Sequence, residues 1–158
     1  MSRISRSGWS AYALAALVIV ADQATKSLVL GLPEFASHPV VGPLQFTRIW
    51  NVGVSFGLLQ AGQDLVRWGL VAFSVAVAVL LGFWARNQQR LLAAIGLGLV
   101  MGGAIGNAID RARFGAVVDF IDVQRLGFFP WIFNLADSGI TVGVILLLLD
   151  SLRRERPA

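Results

Sequence analysis

Four stretches of the chain are apolar for long enough to cross a bilayer: residues 10–32, 65–85, 91–109 and 132–149. A hydrocarbon core of ~30 Å needs about 20 helical residues, and each stretch must be helical because lipid offers the backbone no hydrogen-bond partner. Between the spans the pattern changes. Residues 33–64 form a loop in which Pro39-Val-Val-Gly-Pro-Leu-Gln-Phe-Thr-Arg-Ile-Trp50 sets β-branched and aromatic residues between Pro and Gly, which predicts short strands. Residues 110–131 form a second loop, charged where it begins and aromatic where it ends, and Phe128, Phe129 and Trp131 have the character of an interfacial belt. Gly98, Gly102 and Gly106 recur four residues apart in the third span, with Gly103 beside them, and the fourth span carries Gly139 and Gly143. Small residues at this spacing let helix backbones approach closely, so they read as scaffold.

Charge gives the spans a direction. Arg3 and Arg6 precede the first, Arg86 and Arg90 lie in the short link between the second and third, and Arg153, Arg154 and Arg156 follow the fourth. All seven fall on one side if the helices alternate, so both termini are expected in the cytoplasm. Arg48, Arg67, Arg111, Arg113 and Arg125 fall on the other side, spread through longer loops. The predicted fold is an all-α polytopic membrane protein with four transmembrane helices, both termini cytoplasmic, a small extracytoplasmic β-sheet and an outer loop or helix. The basic start could serve a cleaved leader, but Asp22-Gln-Ala-Thr-Lys26 interrupts the run and no small-x-small site precedes a polar mature region. A retained first helix is expected.

Composition agrees with the pattern: among 158 residues, 56% are hydrophobic and 14% charged, too apolar for a soluble domain of this size. The net charge of +4 does not indicate nucleic acid, because the basic residues flank apolar runs instead of forming a stripe with aromatic stacking partners. The chain has no cysteine and one histidine, His38, so thiolate and multi-histidine metal sites are excluded. Chemistry falls to Asp, Glu, Lys, Arg, Asn, Ser or His38, and no cofactor is expected.

The polar residues of the apolar half converge. Asn107, Asp110 and Arg111 lie at the outer end of the third span on one helical face, and Asn134 and Asp137 share a face in the first turns of the fourth. Asp119 lies in the loop joining them. Asp22 and Lys26, four apart on the first helix, can pair and offset part of the cost of being in the membrane. Asp110 and Arg111 form either a helix-end salt bridge or a substrate-positioning pair, and Asp122 reads as a solvated loop charge. Asp137 can cap its helix, yet its place inside an apolar run favours function. Held close at an apolar boundary, Asp119 and Asp137 cannot both ionise cheaply, so the pair should share a proton. One member then deprotonates water while the other donates to a carbonyl oxygen, the division of labour of aspartic proteases.

These residues resemble the lipoprotein signal peptidase (signal peptidase II) family along nearly the whole chain. The likeness rests on five motifs in order: DQATK from Asp22, NVGVSFG from Asn51, GGAIGNAIDR from Gly102, VVDFID from Val117 and FNLADSGI from Phe133. It implies one integral membrane peptidase domain over 1–158, with Asp119 and Asp137 as the catalytic pair. Asp22, Lys26, Asn51, Gly53, Asn107, Asp110, Arg111, Asn134 and Ala136 match motif positions that shape the site, position substrate or support the fold. The implied substrate is a prolipoprotein whose lipobox cysteine carries a diacylglyceryl thioether, cleaved just before that cysteine in the bacterial cytoplasmic (inner) membrane. A small β-cradle and a mobile outer helix over the site are implied too. The expected partners are that substrate and membrane lipid, with the four-helix unit acting as a monomer. Val54 and Ser55 depart from the small residues expected within NVGVSFG.

Other readings make different predictions. Gly53-Val54-Ser55-Phe56-Gly57 fits the G-x-S-x-G pattern of a serine nucleophile with His38 as base, but the strand, elbow and helix setting that pattern needs is missing from the sequence. A proton-coupled transporter would use Asp22, Lys26, Asp110 and Asp137 near the midplane and show an internal repeat, whereas the acids crowd toward one surface. A non-catalytic membrane scaffold would also use the glycine-lined helices.

Overall fold

The structure, a computed structural model, describes residues 3–53, 63–128 and 130–154. Its helices are α1 (Arg6–Val29), α2 (Gln63–Arg86), α3 (Leu91–Phe114) and α4 (Leu135–Arg154). All four are long and apolar enough to cross a membrane. Its strands are β1 (Ser37–Val41), β2 (Leu44–Asn51), β3 (Val117–Asp122) and β4 (Ile132–Phe133), with a 3₁₀ turn at Gln124–Leu126. The fold is therefore not all-α.

Helix ends follow hydrogen bonding, which hydropathy does not register. α1 starts ahead of the apolar run because the Ser5 hydroxyl accepts the Gly8 N–H at 2.9 Å. α3 continues past residue 109, placing Asp110 and Arg111 inside a helix, and stops where Gly115 turns left-handed at φ 80° and donates to the Arg111 carbonyl. α4 starts later than expected, because Ile132 and Phe133 pair with β3 instead.

α3 is the axis. Of its most apolar window 72% is buried, against 6% for α2, so α3 is enclosed by its neighbours and α2 turns mostly outward. α1, α2 and α4 each pack on α3, while among the described residues α2 and α4 do not pack closely on each other. The glycines make this possible: a Cβ on Gly102 would stand 2.6 Å from the Val18 Cβ and 2.8 Å from the Ala15 carbonyl oxygen. The start of α1, the α2–α3 link and the end of α4 meet at one end, where the Ser5 N–H donates to the Arg86 carbonyl at 3.0 Å and Arg90 pairs with Asp150 at 2.8 Å.

The opposite end carries an antiparallel sheet in the order β1-β2-β3-β4. β1 and β2 fall within the strand-prone first loop, as expected. β3 does not: Asp119 and Asp122 belong to a strand and not to a loop. Alternation along β3 packs Val118 and Phe120 against Val29 at the end of α1 and turns Asp119 to the other face.

Asp122 corrects the expectation of a solvated charge. It is 1% exposed and accepts from the Gln45 amide and the Thr47 hydroxyl, each at 2.7 Å, and from the Gln124 N–H at 2.9 Å. Burial alone would raise its carboxyl, but these donors and the Arg125 charge outweigh burial and hold it below the usual carboxylate range. A depressed native value means the stabilisation is complete above the unfolded value and is lost as pH falls through the native one, below about 4. Asp122→Ala should cost about 1–3 kcal/mol at neutral pH, because buried donors lose their acceptor. Asp122→Asn should cost less, since the Gln45 Oε1, without a partner among the described residues, can turn to accept from the new amide. Thermal unfolding of the two variants checks the order; equal losses would refute it.

Candidate active site

β3 and the amino end of α4 bring two carboxylates to one residue. Asn134 precedes α4, and its side-chain oxygen accepts the Asp137 N–H at 2.9 Å, while Asp137 Oδ2 accepts the Asn134 N–H at 3.3 Å. This reciprocal pair is a capping box, so Asp137 does cap its helix. The other end of the same amide donates to Asp119 Oδ1 at 2.6 Å. Asp137 engages Asn134 through the backbone and Asp119 engages it through the side chain. The orientation of the Asn134 amide is forced, because a backbone N–H can only donate and must face oxygen.

A second amide does the same from α3. Asn107 donates to Asp137 Oδ1 at 2.7 Å, and its oxygen accepts from Lys26 at 3.0 Å and from the Asn134 amide at 3.2 Å. An ammonium has no acceptor, so Lys26 fixes which end of Asn107 faces the carboxylate. The three donors of Lys26 meet Asn107, Asp22 and Asp110, both acids at 2.8 Å. Asp22 reaches across to α4 and accepts the Ala136 N–H at 3.0 Å, and Asp110 accepts the Val118 N–H at 3.2 Å, tying α3 to β3. Gln23 donates to Asp110 at 2.9 Å.

From β2, Asn51 donates to Asp119 Oδ2 at 2.9 Å while its oxygen accepts the Gly53 N–H at 2.8 Å, which locks this amide as well. Gly53 holds φ 82°, a conformation that suits glycine. Arg111 lies within electrostatic reach of Asp137, Asp119 and Asp110. Its Nε is buried without a partner among the described residues. Asp119 is 1% exposed. Burial pushes its carboxyl up to about 6; the Asn51 amide opposes this, the Asp137 charge adds to it, and the Asn134 amide and Lys26 oppose it.

This geometry sets two carboxylates against one asparagine, near enough for the charge of Asp137 to act on Asp119. Among the described residues no group of three His, Cys, Asp or Glu side chains is placed to hold a metal ion.

The family model for signal peptidase (SPase) II matches residues 14–153. The chain belongs to this family. It is 53% identical to the lipoprotein signal peptidase of Caulobacter vibrioides over 156 residues, 96% of this chain and 92% of that protein. It is 47% identical to the lipoprotein signal peptidase of Methylobacterium radiotolerans, over 86% of this chain and 81% of that protein. Two solved bacterial membrane enzyme structures, obtained by the in meso method, share the fold. One has TM-score 0.80 at 28% identity over 100% of this chain and 99% of that one; the other has TM-score 0.81 at 29% identity over 96% and 97%. Family membership makes the chain a multi-pass membrane peptidase.

The eleven residues singled out in the sequence as catalytic or supporting all lie in this one assembly, with one correction to their pairing. Asp110 does not pair with Arg111; Lys26, Gln23 and Val118 engage it instead, because residue 110 faces α1. Gly106 is more than scaffold, since a Cβ there would stand 2.6 Å from Asp22 Oδ2, so its absence leaves room for the buried acid. Gln23 was missed, although its neighbours Asp22 and Lys26 marked that helix face. His38 is exposed on β1, and Ser55 lies outside the described residues, as do Val54 and Phe129.

Proposed function

We propose that the chain is an aspartic endopeptidase that removes the signal peptide of diacylglyceryl-modified prolipoproteins, cutting before the lipidated cysteine, with Asp119 and Asp137 as its catalytic pair. The observation that carries this reading is Asn134, one residue hydrogen-bonded to both carboxylates. The relatives named lipoprotein signal peptidases support the substrate class. Arg6, Arg86, Arg90 and Arg153 stand at helix ends opposite the sheet, which favours cytoplasmic termini and a site at the outer face of the bacterial inner membrane. One monomer holds every residue the mechanism uses.

The shared proton rests on Asp119, the more deeply buried member. Asp137 takes a proton from water as the oxygen attacks the scissile carbonyl carbon, and Asp119 gives its proton to the carbonyl oxygen. The tetrahedral diol then collapses: Asp137 returns its proton to the leaving nitrogen, which becomes the amino group of the lipidated cysteine, and Asp119 recovers one from a hydroxyl. Arg111 and Asn51 hold the extended substrate backbone in line. The diacylglyceryl chains lie along the lipid-facing helices, binding through buried CH₂ groups.

Two measurements test this. Purified protein in detergent should release the signal peptide from a diacylglyceryl-modified precursor and not from its unlipidated form; equal cleavage of both would remove the lipid from the recognition. The pH profile tests the proton. Asp119 has a raised value, so its proton is present below pH about 6 and lost above it. kcat/KM should therefore fall about tenfold per pH unit on the alkaline side, with the limb of kcat displaced upward because bound substrate further buries the pair.

A further inference from the structure

α3 ends directly beside the site, and its last carbonyls need partners. One partner comes from another helix. Arg67, on the first turns of α2, donates through Nε to the Arg111 carbonyl at 2.7 Å and through Nη2 to the Ala112 carbonyl at 2.8 Å. The same Arg111 carbonyl accepts the Gly115 N–H at 3.0 Å, so Arg67 grips the corner at which α3 becomes β3. A cation is also favourable at the negative end of the α3 dipole. The guanidinium lies over the Trp68 ring, 4.9 Å from its centroid, and beside Gly115, where a Cβ would stand 3.9 Å from Nη1. Asp64, 3.7 Å away, has a side chain 88% exposed and adds little.

The corner carries site groups on both sides. Arg111 supplies the gripped carbonyl; its guanidinium lies beside Gly53, where a Cβ would stand 3.7 Å from Nη2, within electrostatic reach of Asp119 and Asp137, and Asp119 follows within β3. Asp110 already ties α3 to Val118 from inside. A pocket of about 300 Å³ lies against Arg67, Phe114, Gly115 and Ala116. We propose that Arg67 is a positioning residue of the active site, which aims the Arg111 guanidinium at the catalytic pair by clamping the last turn of α3 from α2. This rests on the assignment of Asp119 and Asp137 as that pair. A guanidinium suits the task because its planar fork spans two successive carbonyls, which an ammonium cannot do.

The charged groups around the pair are Asp22 and Lys26 from α1, Asp110 and Arg111 from α3, and Asp119 and Asp137 themselves from β3 and α4. Releasing Arg111 withdraws positive charge, which favours the protonated pair and moves the alkaline limb upward. Arg67→Met should lower kcat about ten- to a hundredfold with KM within about twofold, and raise the limb by about half a pH unit. Arg67→Lys, keeping charge and one carbonyl bond, should recover part of the loss, and Asp64→Asn should match the unaltered protein. Rates are taken per folded protein, from the fraction that unfolds cooperatively. In the Arg111→Met background, Arg67→Met should add less than about twofold. A full multiplicative loss there, an unchanged kcat, or a lowered kcat with an unmoved limb would overturn the inference. The Arg67 and Arg111 cycle is scored on signal-peptide release whichever acids carry it. Asn variants at 119 and 137 run alongside: if they stay active, the catalytic assignment fails separately.

Discussion

Asp119→Asn and Asp137→Asn should each lower kcat for signal-peptide release by at least about a hundred- to ten-thousandfold, because an amide can neither take a proton from water nor give one to a carbonyl. The surroundings sharpen the expectation. Asp119 stands between the Asn51 and Asn134 amides, and Asp137 between the Asn107 amide and the Asn134 N–H. Each carboxylate thus receives two donors whose direction is locked: Asn51 by Gly53, Asn134 by the Asp137 N–H and Asn107 by Lys26. An introduced NH₂ must face one of these donors, so each variant also loses about 1–3 kcal/mol of stability. Activity must therefore be measured on folded protein, with release of the signal peptide followed by mass. His38→Ala and Ser55→Ala should keep near-normal rates. Full activity in either Asn variant would reject the pair, whereas loss in Ser55→Ala alone would point to the serine nucleophile.

Lys26→Met should produce the largest loss of stability, about 3–5 kcal/mol, because it strands two buried carboxylates whose shared cation is gone. Asp22 and Asp110 are both 0% exposed, so neither can recover its hydration by a small movement. Activity should fall further than the folded fraction, since Asn107 loses one of the two donors that keep its N–H toward Asp137. Adding Asp22→Asn to Lys26→Met should restore part of the stability: one uncompensated acid remains instead of two, and the new side-chain oxygen can still accept the Ala136 N–H. Denaturant titration in mixed micelles gives the order of the three proteins. A Lys26→Met protein as stable as the parent would show that the buried cation is dispensable.

The hydrophobic pattern located each helix because burial in lipid is a property of a run of residues. It misplaced their ends, since ends depend on single hydrogen bonds: Ser5 starts α1 early, Gly115 ends α3 late, and pairing with β3 removes Ile132 and Phe133 from α4. Strand β3 was hidden for a related reason. Its residues are almost continuously buried, and Asp119 and Asp122 fall on opposite faces of it, so no polar face marks the strand in the sequence. Asp122 looked like a surface charge because Gln45 and Thr47, which hold it, lie in a different strand.

What the sequence determined by itself was local or additive: four membrane-length helices, a strand-prone first loop, a chemistry without thiolates or multi-histidine metal sites, and five motifs that carry the family. What only the tertiary structure decided was who faces whom. Asn107 meets Lys26 across 81 positions of the chain and Ala136 meets Asp22 across 114, and these contacts set the direction of each amide and hence which atom each carboxylate accepts from. Donors and acceptors can be counted along a chain. Their direction is fixed only when a neighbour that can solely donate is packed against them, and that neighbour comes from another helix or strand.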